Sequence, residues 1–350
     1  MDPSGVFATT YRKDRALIRT RKQAFSLVLF LLLLVVAPLL VGPRVIGALS
    51  FMYITAVAVV GLQICMGYAG QVNLGQTAFM GVGAYTAAVL VARADIPFLL
   101  TIPLAGLTAA LFGLIFGLTA VRIKGFYLAL TTLAAQFLFH FAVLNLPASW
   151  LGGSNGMSVE PASFLGFTFT SDLSLYYLCL GACALLTYGA FGIVRSRFGR
   201  AFVAVRDDDV AAGLMGINVQ WTKILAFSVS SFYAGVAGAL WAYTLRFIAA
   251  DHFTLFNSIF FIAMIIVGGM GSIVGALIGV VVIRTVQETI TSYGPSLADT
   301  LAFVGGDIAY ALMNVFLGAA IAAFIILEPK GLMHRWNIMK SSYRLWPYPY

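Results

Sequence analysis

The sequence predicts an all-α polytopic membrane protein, a single bundle of about ten transmembrane helices within a range of eight to ten. Three observations carry that expectation. Hydrophobic residues make up 61% of the 350 positions and charged residues only 10%, whereas soluble domains carry about 25% charged residues. Apolar surface on that scale needs lipid as its solvent. Apolar segments recur from residue 24 to residue 327, with no polar stretch between them long enough to fold alone. The basic residues, which give the chain a net charge of +8, gather in alternate loops.

Segment 1–23 is basic, with Arg12, Lys13, Arg15, Arg19, Arg21 and Lys22. The apolar run 24–41 is longer than a signal-peptide core and contains Pro38. No small-residue cleavage site follows it cleanly, so it is expected to stay as the first span. A helix needs about 20 apolar residues to cross the hydrocarbon. On that rule further spans fall at 46–67, 71–92, 98–120, 125–145, 173–194, 223–245, 255–268, 273–290 and 307–327. Only Tyr68-Ala69-Gly70 divides the second from the third. The eighth is short, and is either a half-span or joined to the ninth through Gly268-Gly269-Met270-Gly271-Ser272.

With the N-terminus inside, the charges sort sharply. Of 21 Lys and Arg residues, only Arg44, Arg93 and Arg246 fall in outside loops and Arg284 within a span. The rest lie inside, which is the positive-inside pattern of a bacterial inner-membrane protein with both termini cytoplasmic. An odd span count would put the basic tail 328–350 outside. Short basic loops of this kind face anionic lipid, and no basic face is large enough to follow a nucleic-acid backbone.

The longest outside loop, 146–172, lacks Lys and Arg and carries Gly152-Gly153-Ser154-Asn155-Gly156. The longest inside loop, 195–222, is different. Asp207, Asp208 and Asp209 sit where the first turn of a short helix has free N–H groups that favour acids. Val210, Leu214 and Ile217 follow at spacings of four and three and make one apolar stripe. A short amphipathic helix at the cytoplasmic face is expected there.

The stretch from Gly67 to Tyr85 is the most informative. Gly67, Gly70, Gly75, Gly81 and Gly83 make it a poor regular helix, and Gln71, Asn73, Gln76 and Thr77 bring polar groups to membrane depth. Broken backbone survives there only where protein buries it or water reaches it. Two readings stay open: these residues line a pathway, or they are small and amide side chains that glue helices together. Gly113 and Gly117, and the series Gly271, Gly275 and Gly279, read as close-packing faces. Arg284 and Glu288 are charges within a span, four apart on one face, where they are expected to pair.

Catalytic signatures are missing. His140, His252 and His334 are scattered, and no zinc-protease helix, nucleophile elbow or phosphate loop occurs. Three adjacent acids at 207–209 diverge around a helix and do not converge on a metal. Cys65, Cys179 and Cys183 lie in apolar runs and read as core residues. The sequence therefore predicts no catalytic residues, no metal site and no cofactor.

Gly67–Tyr85 and the loop Arg206–Asn218 resemble the branched-chain amino-acid permeases of ABC importers, and the LivM type more than its LivH partner. Three further stretches are similar to that family: Lys124-Gly-Phe-Tyr-Leu-Ala-Leu-Thr-Thr-Leu133, Gly152–Gly156 and Glu328-Pro-Lys-Gly-Leu332. The resemblance covers roughly residues 60–335 in the family's order. It implies an ABC importer permease bundle, paired with a second, LivH-like permease subunit, two cytoplasmic ATP-binding subunits and an extracytoplasmic solute-binding protein. It also implies that Arg206, Asp207, Asp208, Asp209, Ala211, Ala212 and Gly216 form the loop that couples to the ATPases. Asp208 and Asp209 stand where the family more often has Asn-Glu, and Gly213 where it has Glu. Tyr68, Gly70, Gln71, Asn73, Gln76 and Thr77 would lie along the substrate pathway. The solute implied is a branched-chain or other amino acid, an amide or urea. The rival reading is an ion-coupled secondary transporter, for which Glu288 and Asp307 would be the proton or sodium carriers.

Overall fold

The structure, a computed structural model, describes residues 21–345 apart from 95, 162, 165–166, 170, 301–314, 316–317, 320–321, 325, 327 and 329. Its long helices are α1 (Arg21–Leu40), α2 (Pro43–Leu62), α3 (Gln76–Ala94), α4 (Phe98–Arg122), α5 (Phe126–Asn145) and α6 (Asp172–Arg195). Two short helices follow, α7 (Arg197–Asp207) and α8 (Asp209–Leu214). The chain continues through α9 (Val219–Leu245), α10 (Leu255–Gly268), α11 (Ile273–Thr300) and α12 (Leu332–Leu345). Among the described residues, eight helices are long and apolar enough to cross a membrane, and the apolar part of α1, Ala24–Leu40, is shorter, at 17 residues. Most of the expected span 307–327 lies outside the described residues.

Contacts between loops sort the bundle into two ends. At one end Arg206 meets Gly67, Lys124 pairs with Asp209, and Gln63 reaches Gly269 and Ser272. At the other, Arg44 pairs with Glu288 and Arg93 lies over the Trp150 ring. There β1 (Met157–Ser158) also pairs antiparallel with Phe247–Ile248. The long loops 146–171 and 196–218 therefore stand at opposite ends, in the alternation that the charges require.

Helix α9 is the axis of the core. It packs against α2, α3 and α4 over faces of Gly, Ala and Ser. A Cβ at Gly238 would overlap the Met80 carbonyl, and one at Gly83 would overlap the Gly235 backbone, so α3 and α9 touch backbone to backbone. Gly113 and Gly117 lie against Ser231 and Ile224 of α9, the close crossing their spacing suggests. Without hydrophobic driving force between helices in lipid, this dispersion contact is a main source of association. Helices α10 and α11 form a tight hairpin in which Gly268, Gly275 and Gly279 face one another.

Helix α1 is mostly exposed on its apolar face and is tethered by two hydroxyls. Pro38 has no N–H to offer the Leu34 carbonyl. The Tyr176 hydroxyl donates to that carbonyl at 2.7 Å, and Tyr177 donates to the Val35 carbonyl at 3.0 Å. In lipid, where water is absent, such a replacement partner is what makes the proline tolerable.

The third span differs from expectation. Helix α3 begins at Gln76, not at 71, and residues 63–68 form a π turn. Gly70 takes a positive φ of 69°, and a Cβ there would stand 2.6 Å from Arg206 Cγ. The non-helical stretch 69–75 is buried or half-buried except at Gly70, and its amides find partners one by one. Gln71 N donates to the Cys65 carbonyl at 3.0 Å, Leu74 N to Thr132 Oγ1 at 3.0 Å, and Gly75 N to Asn73 Oδ1 at 2.9 Å.

Candidate functional site

The polar residues after that break form a closed network. Gln76 is fully buried; its Nε2 donates to the Ala58 carbonyl at 2.9 Å, and its Oε1 accepts from Asn73 Nδ2 at 3.0 Å and Ser230 Oγ at 3.1 Å. Thr77 Oγ1 lies 2.8 Å from the Thr254 carbonyl, 2.9 Å from Gln136 Oε1 and 2.7 Å from Ser258 Oγ. Gln136 in turn donates to the Phe253 carbonyl. Asn73, Gln76 and Thr77 thus bind α2, α3, α5, α9 and α10 together, and each of their side-chain polar atoms has a protein partner. Tyr68 is half-buried against the core. Gln71 is the exception: it is buried, neither amide atom has a partner, and it borders a pocket of about 360 Å3.

That pocket is also lined by the expected coupling residues Arg206, Asp207, Asp208 and Asp209. The expected single helix is two, broken at Asp208, which is extended at φ −158° and ψ 110°. The three acids consequently divide their work. Asp207 ends α7 and receives Arg206 Nε and Nη2 at 3.0 and 2.8 Å. Asp208 caps α8, its Oδ1 accepting from Val210 N at 2.9 Å and Ala211 N at 3.0 Å. Asp209, in the first turn, is gripped by Lys124 at 2.5 Å and Lys223 at 3.1 Å. Those two ammonium groups, Lys124 first, hold its carboxyl below the usual carboxylate range.

The far end of α8 closes equally well. Gly216 N donates to the Gly213 carbonyl and Ile217 N to the Ala212 carbonyl, both at 3.0 Å, with Gly216 at φ 86°. This is the paired-bond reversal that favours glycine after a helix. Ala212 is buried and Ala211 exposed. Of the expected stripe, Ile217 is half-buried, while Val210 is 67% and Leu214 85% exposed, joined by Met215 at 84%.

Arg206 ties this loop to the bundle. Its Nη1 donates to the Gly67 carbonyl at 3.0 Å, its stem crosses Gly70, and Gly271 of the α10–α11 turn lies beside its guanidinium. Gln63 Nε2, in the π turn, donates to the Gly269 and Ser272 carbonyls at 3.1 and 3.0 Å. Two breaks in the bundle and the 197–214 segment therefore meet at one side chain.

The expected Arg284–Glu288 pair takes separate partners. Arg284 Nε and Nη2 donate to Thr55 Oγ1 at 3.0 and 2.5 Å, and Glu288 lies 3.8 Å from Arg44. A hydroxyl inside the bundle competes well for the fork of a half-buried guanidinium, whereas Glu288, one turn further along α11, is half-exposed. Asp307 is outside the described residues. Among those residues no group of three His, Cys, Asp or Glu side chains is placed to hold a metal. Sequence reasoning missed Gln63, Thr132, Gln136, Ser230 and Ser258; the signal was an amide or hydroxyl inside an otherwise apolar span.

A polytopic helical bundle with broken membrane segments and a capped, exposed helix at one end suits a membrane transport permease. The chain belongs to the family described as branched-chain amino acid transport system, permease component, whose model matches residues 44–325. It is 28% identical over 338 residues to the high-affinity branched-chain amino acid transport system permease protein LivM of Escherichia coli, covering 90% of this chain and 76% of that protein. It is 27% identical over 303 residues to a probable LivH permease of Methanocaldococcus jannaschii, covering 82% and 90%. An autoinducer 2 import system permease, LsrC of an Enterobacter strain, matches at 27% over 37% of this chain and 39% of its own. No solved structure matches. The protein is a multi-pass permease of the inner membrane.

Proposed function

We propose that this chain is one of two permease subunits of an ATP-driven importer, moving a branched-chain or other small amino acid inward by alternating access. The Arg206 end faces the cytoplasm, together with segment 1–23 and the tail 328–350. Two separate ATP-binding subunits dock there, and an extracytoplasmic binding protein delivers solute to the opposite end, which carries loop 146–172. The observation that carries this reading is the exposed stripe Val210, Leu214 and Met215 on a helix fixed at both ends by caps. Apolar side chains held rigidly in the open suit a partner's cleft. Asp209 and Arg206 join that helix to the spans, so a push on it reaches the π turn and the 69–75 stretch. The closed Asn73–Gln76–Thr77 network supports a scaffold role for those three, and leaves Tyr68, Gly70 and Gln71 as pathway candidates near the inner mouth.

The test is Leu214→Glu with Met215→Glu in the co-expressed importer. Association with the ATP-binding subunits and ATP-driven amino-acid uptake should both be lost, with the melting temperature of the purified chain unchanged. Intact association, or uptake that survives ATP depletion and collapses with an uncoupler, would sink the reading in favour of an ion-driven carrier.

A further inference from the structure

At the end of the bundle away from Arg206 lies a cavity of about 810 Å3, walled by α2, α9, α11 and the loop carrying His252. It is large enough for a small organic ligand, whose sites run about 300–1,000 Å3. Leu49, near its wall, and Gly67, at the Arg206 junction, are separated by a helical path of about 27 Å, so the two sites are distinct.

The chemistry of the wall is asymmetric. One helix, α11, presents Arg284, Gln287 and Glu288 at spacings of three and four, hence on one face. Thr55 occupies Nε and Nη2 of Arg284 and leaves Nη1. Three wall residues carry buried polar atoms with no protein partner: Trp241 Nε1, His252 Nδ1 and Gln287 Oε1. Such orphans are costly unless something else satisfies them. Thr285, Thr289 and Thr291 add hydroxyls on the α11 side, and the α2 and α9 side is apolar, with Leu49, Met52 and Leu245, and with Trp241 steadied by an edge contact to Phe51 at 5.0 Å between ring centroids.

We infer that this cavity is a binding site for a zwitterionic amino acid with an apolar side chain, on the side where solute enters. Arg284 takes the carboxylate, and Glu288 takes the ammonium. The two sit one helical turn apart, about 6 Å along the axis, a span that a bound zwitterion bridges from cation to anion. Trp241 and Gln287, whose orphaned atoms are covered in the empty protein, turn toward the cavity to add a donor for the carboxylate and an acceptor for the ammonium. The side chain lies on Leu49, Met52 and Leu245. In the empty protein Glu288 lies 3.8 Å from Arg44 and Arg284 is held by Thr55, and the ligand draws these two α11 charges onto itself. This assignment rests on the amino-acid reading above and names the site that serves it.

The test is equilibrium binding to the full chain in lipid nanodiscs. L-Leucine, 4-methylpentanoate (no ammonium), 3-methylbutylamine (no carboxylate) and glycine are titrated in turn. Saturable binding of leucine is expected, with each of the other three weaker by about tenfold, the loss of one charged or apolar anchor. Glu288→Gln should weaken leucine by a similar factor and leave 4-methylpentanoate unchanged. Arg284→Lys, which keeps the charge but not the fork, should weaken leucine and 4-methylpentanoate and leave 3-methylbutylamine unchanged. Glu288 is half-exposed, so its variant carries the test even if changes at 284 disturb folding. No leucine binding, or equal binding by wild type and Glu288→Gln, overturns the site. If the assembled importer nonetheless drives leucine uptake with ATP, only this inference fails and the transport reading stands.

Discussion

Arg206 and Gly67 are 139 residues apart in sequence, and the guanidinium of one donates to the carbonyl of the other at 3.0 Å. That bond spans from the loop proposed to meet the ATPases to the π turn inside the bundle. Arg206→Ala should therefore keep the ATP-binding subunits bound, because the stripe on α8 is untouched, yet uncouple them. Solute moved per ATP hydrolysed should fall about tenfold, the worth of a charged hydrogen bond. Arg206→Lys presents a point charge in place of a fork and should recover part of the loss. The measurement is uptake against ATP hydrolysis in proteoliposomes, and unchanged stoichiometry in Arg206→Ala would remove Arg206 from the linkage.

Gln76 should behave as a structural residue. Gln76→Leu strands Asn73 Nδ2 and Ser230 Oγ in a buried setting and is expected to cost about 1–3 kcal/mol of stability. Thermal unfolding in detergent reads this directly. A variant with full stability and altered solute preference would instead mark Gln76 as part of a pathway.

The Pro38–Tyr176 relationship gives a sharper test through a double-mutant cycle. Tyr176→Phe leaves the Leu34 carbonyl without its donor and should destabilise the attachment of α1. Pro38→Ala restores a backbone N–H four residues on, so the double variant should be more stable than the sum of the single effects allows. Additive effects would show that the hydroxyl is not replacing the proline's missing donor.

Gly279 and Gly181 form a matched pair. A Cβ at Gly279 would overlap the Met264 carbonyl, whereas Gly181 has nothing within 4 Å. Gly279→Ala should lower stability by about 1–3 kcal/mol as overpacking does, and Gly181→Ala should be neutral or slightly stabilising through helix propensity. Parallel melting curves decide.

Asp209 has a lowered pKa because Lys124 and Lys223 stabilise its charged form. A carboxyl lowered on folding contributes its stabilisation in full above its unfolded value, near 3.8, and loses it as pH falls through the lower folded value. The difference in melting temperature between wild type and Asp209→Asn should thus hold steady from about pH 8 to pH 5 and close only below about pH 4. A difference that varies between pH 6 and 8 would point to another titrating group.

The spans and their two-ended charge sorting were legible because composition and the positions of Lys and Arg are one-dimensional signals. So was the break after Gly67, since glycines and amides at membrane depth cannot form a plain lipid-facing helix. What the residues there do was not legible. Whether Gln76 faces a path or a neighbour depends on Ser230, 154 residues away. The same holds for Arg284 and Glu288: four-residue spacing puts them on one face, but Thr55 and Arg44, from another helix, decide their partners. Asp208 was readable as a helix-start residue, yet the second helix before it was not, because α7 follows Ser196, whose hydroxyl caps it, only two residues before the aromatic Phe198.

The π turn at 63–68 holds more residues than an α-helical turn of the same height. Removing one of them would wind the segment back to ordinary helix and swing everything on one side of it by about 100°. The Gly67 carbonyl would then point away from Arg206, while Thr55, Tyr53 and Gln63, at or before the start of the turn, would keep Arg284, Tyr176 and Gly269. The wide turn is thus a phase shift between α2 and the non-helical stretch after it: it lets α2 face α6 and α11 while the chain beyond the turn offers the Gly67 carbonyl to Arg206.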